Sequence, residues 1–191
     1  MVWKKMSLDQ PNYFIMPMFI IPYLKLEVSD WENKKKKLLE LMNKSNLELD
    51  SFLLTSFFDK ENTPIDQNDL IQSIFEEELS HMKKSFNFND CLIKESWFQE
   101  QTKNMFHPMH HHCGNGVMMS SICYIDYDSS IHSATKFISP YVDSISCSYI
   151  NFTPEVTEGT IIFFPSNVLH QTVPSNSDIP RKIVSFNLEV K

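Results

Sequence analysis

The sequence predicts a mostly β (α+β) domain, a sandwich or barrel with helices packed outside one sheet. Two observations support this. Apolar residues recur at three-and-four spacing up to about residue 90 and alternate from residue 91 onward. The alternating runs are short, and turn residues separate them at the spacing of sandwiches and barrels.

The elements follow in order. The apolar run YFIMPMFIIPYL at 13–24 reads as a strand. Lys4 and Lys5 ahead of it imitate a signal peptide. Against that, Asp9 and Gln10 interrupt the approach, Pro17 and Pro22 punctuate the run, and no A-x-A site follows. The run is also too short to span a bilayer. Asp30 is placed to cap a helix over 31–46, with Trp31, Leu38, Leu39, Leu41 and Met42 on its apolar side. Lys34 to Lys37 form its solvated face. SFLLTSFFDKENTP at 51–64 reads as a short helix or extended piece and a loop. Asp66 or Asn68 can cap a second helix over 67–85, where Leu70, Ile71, Ile74, Phe75, Leu79 and Met82 share one side. Strands are expected at about 92–101, 117–126, 133–139, 145–152, 160–164 and 181–190. Between them lie Gly114–Asn115–Gly116, Asp126 to Ser130, Pro140, Pro154, Glu158–Gly159, Pro165 and Pro174 to Asp178. Gly159 should sit in a positive-φ turn entering the strand GTIIFFP.

A chain of 191 residues suits one domain with a full core. A net charge of −7 argues against a general basic surface and against duplex nucleic acid as a partner. Cys91, Cys113, Cys123 and Cys147 form no CxxC pair, and a chain this large needs no disulfide staples. They read as reduced thiols of a cytoplasmic protein.

The chemistry concentrates in MHHHCGN and in LHQTVPSNSDIPRKIVSFN. On an extended segment His110 and His112 point to the same face, with Cα atoms roughly 6.5–7 Å apart, while His111 faces away. His170, 58 residues after His112, is the natural third ligand of a facial metal set. Other readings stand beside this one. The run can be an exposed polar loop, or part of a zinc site using His107 or Cys113. Arg181 is the single arginine of the chain and lies eleven residues after His170. Its planar fork grips a carboxylate through two parallel hydrogen bonds, which lysine cannot copy. A surface salt bridge is the plainer use. In RKIVSFNLE, Arg181, Ile183, Ser185 and Asn187 share one face, polar at intervals like a pocket wall. Lys182, Val184, Phe186 and Leu188 share the other, which suits packing against helices.

These residues resemble the non-haem iron, 2-oxoglutarate-dependent oxygenases, in particular small members from bacteria and marine phages. The matching text is SWFQEQTKNMFHPMHHHCGN…SSICYI and EGTIIFFPSNVLHQTVPSNSDIPRKIVSFN. Trp97, His110, His112, Ser121, Tyr124, Gly159, Phe164–Pro165–Ser166, His170, Arg181 and Ser185–Phe186–Asn187 fill the family's places in order. The resemblance implies one oxygenase-like domain over 1–191: a strand plus helical support at 1–90, and a double-stranded β-helix (jelly roll) at 91–191 holding the metal. It implies Fe(II) on His110, His112 and His170, with 2-oxoglutarate chelating the metal and its far carboxylate on Arg181. Tyr124, Asn115, Ser185 and Asn187 are weaker candidates for cosubstrate contacts. O2 and an unidentified prime substrate complete the partners, a membrane is not expected, and a homodimer is left open. A phage-encoded copy would work in the host cytoplasm.

One departure matters. Better-known members use two histidines and a carboxylate, whereas three neutral imidazoles leave the ion its full +2 charge. That suits a dianionic cosubstrate. It also leaves room for a three-histidine cupin-type dioxygenase without 2-oxoglutarate, or for a non-catalytic jelly-roll module. The loop CGNGVMM is two residues longer than usual, so the register of HHH stays open.

Overall fold

The computed structural model describes residues 21–50, 52–58, 66–114, 116–143 and 145–191. Ten strands and three helices occur among them. The strands are β1 (Leu24–Glu27), β2 (Glu48–Asp50), β3 (Leu53–Thr55), β4 (Cys91–Gln101) and β5 (Met119–Asp126), then β6 (Lys136–Val142), β7 (Tyr149–Phe152), β8 (Thr160–Pro165), β9 (Leu169–Gln171) and β10 (Arg181–Val190). The helices are α1 (Trp31–Lys44), α2 (Gln67–Ile74) and α3 (Glu76–Phe86).

The strands form two antiparallel sheets. The larger runs β1-β8-β5-β10-β4-β3-β2 and the smaller β7-β6-β9. This is the jelly-roll arrangement, with the helices against the outer face of the large sheet. Leu38, Leu41 and Met42 of α1 join Ile71, Ile74, Phe75, Leu79 and Met82 there, in one cluster with Cys123, Phe163, Val184, Phe186 and Leu188 of the sheet. A second, smaller cluster fills the space between the sheets, with Ile122, Tyr124, Phe137, Ile162, Phe164 and Ile183. The alternation read from β10 holds: Val184, Phe186 and Leu188 enter the helix-side core, while Ile183 enters the other.

Gly159 has φ +80 and pairs with Tyr124 and Val28 at the entry to β8. A Cβ there would sit 3.0 Å from Trp31 Cδ2, so both backbone and packing call for glycine.

Several expectations need correction. Most of the opening apolar run, 13–20, lies outside the described residues, and β1 begins at Leu24. Asp30 does precede α1, but its backbone is left-handed and its side chain makes no cap; it accepts a hydrogen bond from Asn33 instead. Asp66 precedes α2, also without a side-chain cap. The helix expected over 67–85 breaks at Phe75, whose ring is fully buried near Phe186. Glu76, Glu77 and Glu78 then open α3, where a helix N-terminus favours negative charge. Of the two readings of 51–64, the extended one holds where the stretch is described: Leu53–Thr55 is β3, paired with β2 and β4, while 51 and 59–64 lie outside the described residues.

Candidate active site

The inner face of the large sheet is unusually polar. Trp97, Gln99 and Gln101 of β4 stand opposite Ser185, Ile183 and Arg181 of β10. A narrow cavity opens between this face and the small sheet. Trp97, Gln99, Thr135, Thr172, Ser185 and a group of histidines are among its walls.

His170 sits in the middle of β9, a strand that sequence reasoning missed because it is only three residues long. His110 lies outside the regular strands, yet its backbone N–H and C=O both pair with His170, each at 3.0 Å. The His112 N–H donates to Ser166 O at 2.9 Å, so residues 110–112 run alongside 166–170 as an extension of the small sheet. Same-face parity therefore survives without a formal strand. His110 and His112 turn inward and His111 is exposed.

The ring donor atoms of His110, His112 and His170 all lie within 4.8 Å of one another. His110 Nδ1 is 2.8 Å from Pro108 O, and His170 Nδ1 is 2.9 Å from Val168 O. A carbonyl only accepts, so each Nδ1 carries the proton and each Nε2 keeps its lone pair. Burial first, then neighbouring imidazoles, push these rings away from protonation: His112 to about 4, His110 below its usual range and His170 well below it. Three neutral, converging imidazoles, His110 and His170 with Nδ1 anchored to the backbone, fit a divalent metal ion.

A fourth histidine, His107, entered the sequence reading only as an alternative zinc ligand, and it is not part of the converging set. His107 stacks on His110 with ring centroids 3.8 Å apart, and its Nδ1 lies 3.3 Å from Gln99 Nε2. Burial, the neighbouring imidazoles and Arg181 push it down to about 3.

Arg181 is not a surface residue. It is 3% exposed. Its Nη1–H donates to Gln101 Oε1 at 2.7 Å and its Nη2–H to Thr135 Oγ1 at 3.2 Å. The guanidinium carbon lies 5.1 Å from the Tyr124 ring centroid, and Nε has no partner. Burial lowers its pKa, opposed by Tyr124. Among the described residues no carboxylate pairs with it. A buried cation without an anion is costly, which marks the place for an acidic ligand.

The weaker candidates divide. Ser185 lines the cavity. The Tyr124 hydroxyl accepts the Thr135 N–H at 3.1 Å, so Tyr124 supports the residue that holds Arg181. The Asn187 side chain is engaged by Ser120 and Glu95, outside the cavity walls. Asn115 lies outside the described residues. Gln99, Gln101, Thr135 and Thr172 were missed. Period two places Gln99 and Gln101 on the same face of the strand as Trp97, which was a readable signal for the two glutamines; the two threonines had none.

A second, roomier cleft meets the histidines from the β2–β3 side. Leu53, Phe57 and Phe58 line it, and it shares Trp97, Gln99, His107, His110 and His112 with the inner cavity.

Residues 95–187 match the family model described as "Putative 2OG-Fe(II) oxygenase". No curated protein matches the sequence. Among solved structures, the chain is similar to an oxidoreductase of the 2OG-Fe(II) oxygenase family from Burkholderia pseudomallei, at 10% identity over 87% of this chain and 84% of that one, with TM-score 0.65. The viral collagen prolyl hydroxylase of Paramecium Bursaria Chlorella virus-1, in complex with 2OG, shares 15% identity over 88% and 96%, with TM-score 0.57. HygX from Streptomyces hygroscopicus, with nickel and 2-oxoglutarate bound, shares 11% over 88% and 83%, with TM-score 0.60. These likenesses establish the jelly-roll fold. The family match spans the segment that holds all three histidines and Arg181, and through it the chain is similar to the 2OG-Fe(II) oxygenases.

Proposed function

We propose that this oxygenase holds Fe(II) on His110, His112 and His170 and pairs the far carboxylate of 2-oxoglutarate with Arg181. When bound, the iron supplies the redox chemistry that couples O2 and the decarboxylation of 2-oxoglutarate to succinate and CO2 with hydroxylation of a substrate C–H bond. The chain's own residues supply position and electrostatics. Pro108 O and Val168 O hold His110 and His170 in the tautomer that presents Nε2. Gln101 and Thr135 fix the Arg181 fork. Tyr124, beneath the guanidinium and bonded to Thr135, keeps that arrangement rigid.

The observation that carries this reading is Arg181: buried, without a carboxylate, and with an unpartnered Nε. No Asp or Glu is among the described walls of the inner cavity, which leaves it receptive to an anion. A three-histidine dioxygenase that dispenses with 2-oxoglutarate would use such a residue only for an acidic substrate of its own. The prime substrate, in this reading, approaches through the outer cleft past Phe57 and Phe58. Solved relatives include prolyl hydroxylases and a structure with hygromycin B bound, so their titles span peptide and small-molecule ligands and do not narrow the choice here. Anaerobic reconstitution with Fe(II) tests the assignment. Addition of 2-oxoglutarate should produce a visible charge-transfer band, and a protein that binds Fe(II) yet gives no band on saturation overturns it.

A further inference from the structure

Of the histidines that line the inner cavity, His107 is the one that the metal set leaves unused. It lies in the wall common to the inner cavity and the outer cleft. Its backbone is pinned to Thr172 in both directions: the His107 N–H donates to Thr172 Oγ1 at 2.6 Å, and the Thr172 N–H to His107 O at 3.1 Å. The same Thr172 hydroxyl accepts from Gln101, whose other amide atom holds Arg181. The ring is thus fixed by the framework that fixes the arginine.

The hydrogen bond at its other side decides what the ring offers. Gln99 Nε2 is an amide nitrogen and can only donate, so His107 Nδ1 is the acceptor. The neutral ring must then carry its proton on Nε2. That atom has no partner among the described residues, and it is not among the buried unpartnered atoms, so it is open to the cavity. His110 shows the opposite tautomer, with its proton on Nδ1. Two stacked imidazoles therefore present contrasting Nε2 atoms: a lone pair on His110 and an N–H donor on His107.

Resting on the oxygenase reading above, we propose that His107 binds the cosubstrate: its Nε2–H donates to the 2-oxo acid head of 2-oxoglutarate, at the end opposite the Arg181 anchor. The two ends are then held by different chemistry. Arg181 recognises the distal carboxylate by charge, and His107 recognises the head with a neutral donor beside the ligand set.

The test uses two ligands and two variants of the Mn(II)-loaded protein, followed by water-proton relaxation. Pyruvate has the 2-oxo acid head and no distal carboxylate. His107→Phe keeps a flat ring against His110 and removes the donor. It should weaken both 2-oxoglutarate and pyruvate about tenfold to a hundredfold, as expected for loss of a bond to a charged group, with Mn(II) affinity unchanged within about twofold. Arg181→Lys should weaken 2-oxoglutarate and leave pyruvate unchanged. Pyruvate binding equally well to wild type and His107→Phe would overturn the assignment, while the response of 2-oxoglutarate to Arg181→Lys would still report on the oxygenase reading. Wild-type protein that binds Mn(II) but neither ligand would overturn both.

Discussion

Replacing Arg181 by Lys keeps a cation and removes the fork. The arginine is 3% exposed, donates to Gln101 and Thr135, and has Nε to spare. Lysine, a point charge on a flexible stem, cannot hold both neighbours and a carboxylate in one plane. Loss of one charge-assisted bond costs about 1.5–3 kcal/mol, so 2-oxoglutarate should bind about tenfold to a hundredfold more weakly. The change also shows in melting. A ligand at a hundred times its Kd stabilises the native state by about 2.7 kcal/mol. For a chain of this size that is about 5–11 °C. With a thirtyfold larger Kd at the same concentration, about 0.9 kcal/mol remains, or about 2–4 °C. The ligand-free variant should itself melt several degrees lower, because Gln101 or Thr135 loses a buried partner at a cost of about 1–3 kcal/mol. Thermal scans of Mn(II)-loaded wild type and variant, with and without 2-oxoglutarate, read both effects. Equal ligand-induced shifts in the two proteins would refute the anchor and reduce Arg181 to packing.

The other predictions are independent of that residue. Mn(II) titration should show about one site, lost in His110→Ala, His112→Ala and His170→Ala and retained in the exposed His111→Ala; full binding in His170→Ala would break the triad. Glu78 is buried beside Lys34 at 2.8 Å and accepts the Ser29 N–H. Burial raises its pKa, but the Lys34 and Ser29 hydrogen bonds outweigh this and the net direction is down. Its contribution is therefore complete above the ordinary glutamate value and fades as pH falls through the lowered one. Glu78→Gln should cost about 2 kcal/mol near pH 7, with the gap to wild type closing in acid; a gap independent of pH in denaturant titrations would contradict this. Gly159→Ala places a Cβ 3.0 Å from Trp31 at φ +80 and should cost about 1–3 kcal/mol, measured by the same titrations.

Much of this was legible because it rests on period two. Alternation in RKIVSFNLE separates the helix-side residues Val184, Phe186 and Leu188 from Arg181, Ile183 and Ser185, and the structure keeps that division. The His110 and His112 parity was also readable, although the segment borrows its extended geometry from pairing with β9 rather than from strand propensity. What was not legible depends on contacts distant in sequence. The break at Phe75 follows from tertiary burial of one ring, not from a proline or glycine. The partners of Arg181 lie 80 and 46 residues away, and no local pattern points to them. His107 looked like one more histidine in a histidine-rich stretch until Gln99 and Thr172 gave it an orientation.

The large sheet separates two environments with opposite demands. On its outer side the helices and the sheet bury an oily cluster, the kind of burial that supplies most of a domain's stability. On its inner side Gln99, Gln101, Arg181 and Ser185 occupy positions where a purely structural sandwich would place aliphatic groups. Each such residue is tolerable only when its hydrogen bonds are met. Gln101 is met at both ends of its amide, and Thr135 is held at both backbone and side chain. The exception is the Arg181 guanidinium, left with a charge unpaired and one donor free. Ser121 Oγ is also buried without a partner, but Arg181 is the one cation left short, and what it lacks is an anion. A divalent ion held, as proposed, by the three neutral imidazoles would keep its full +2 charge and make the same demand. A dianion with one acidic group for each would meet both, which is the electrostatic case for the proposed binding of 2-oxoglutarate at a three-histidine site without a carboxylate ligand.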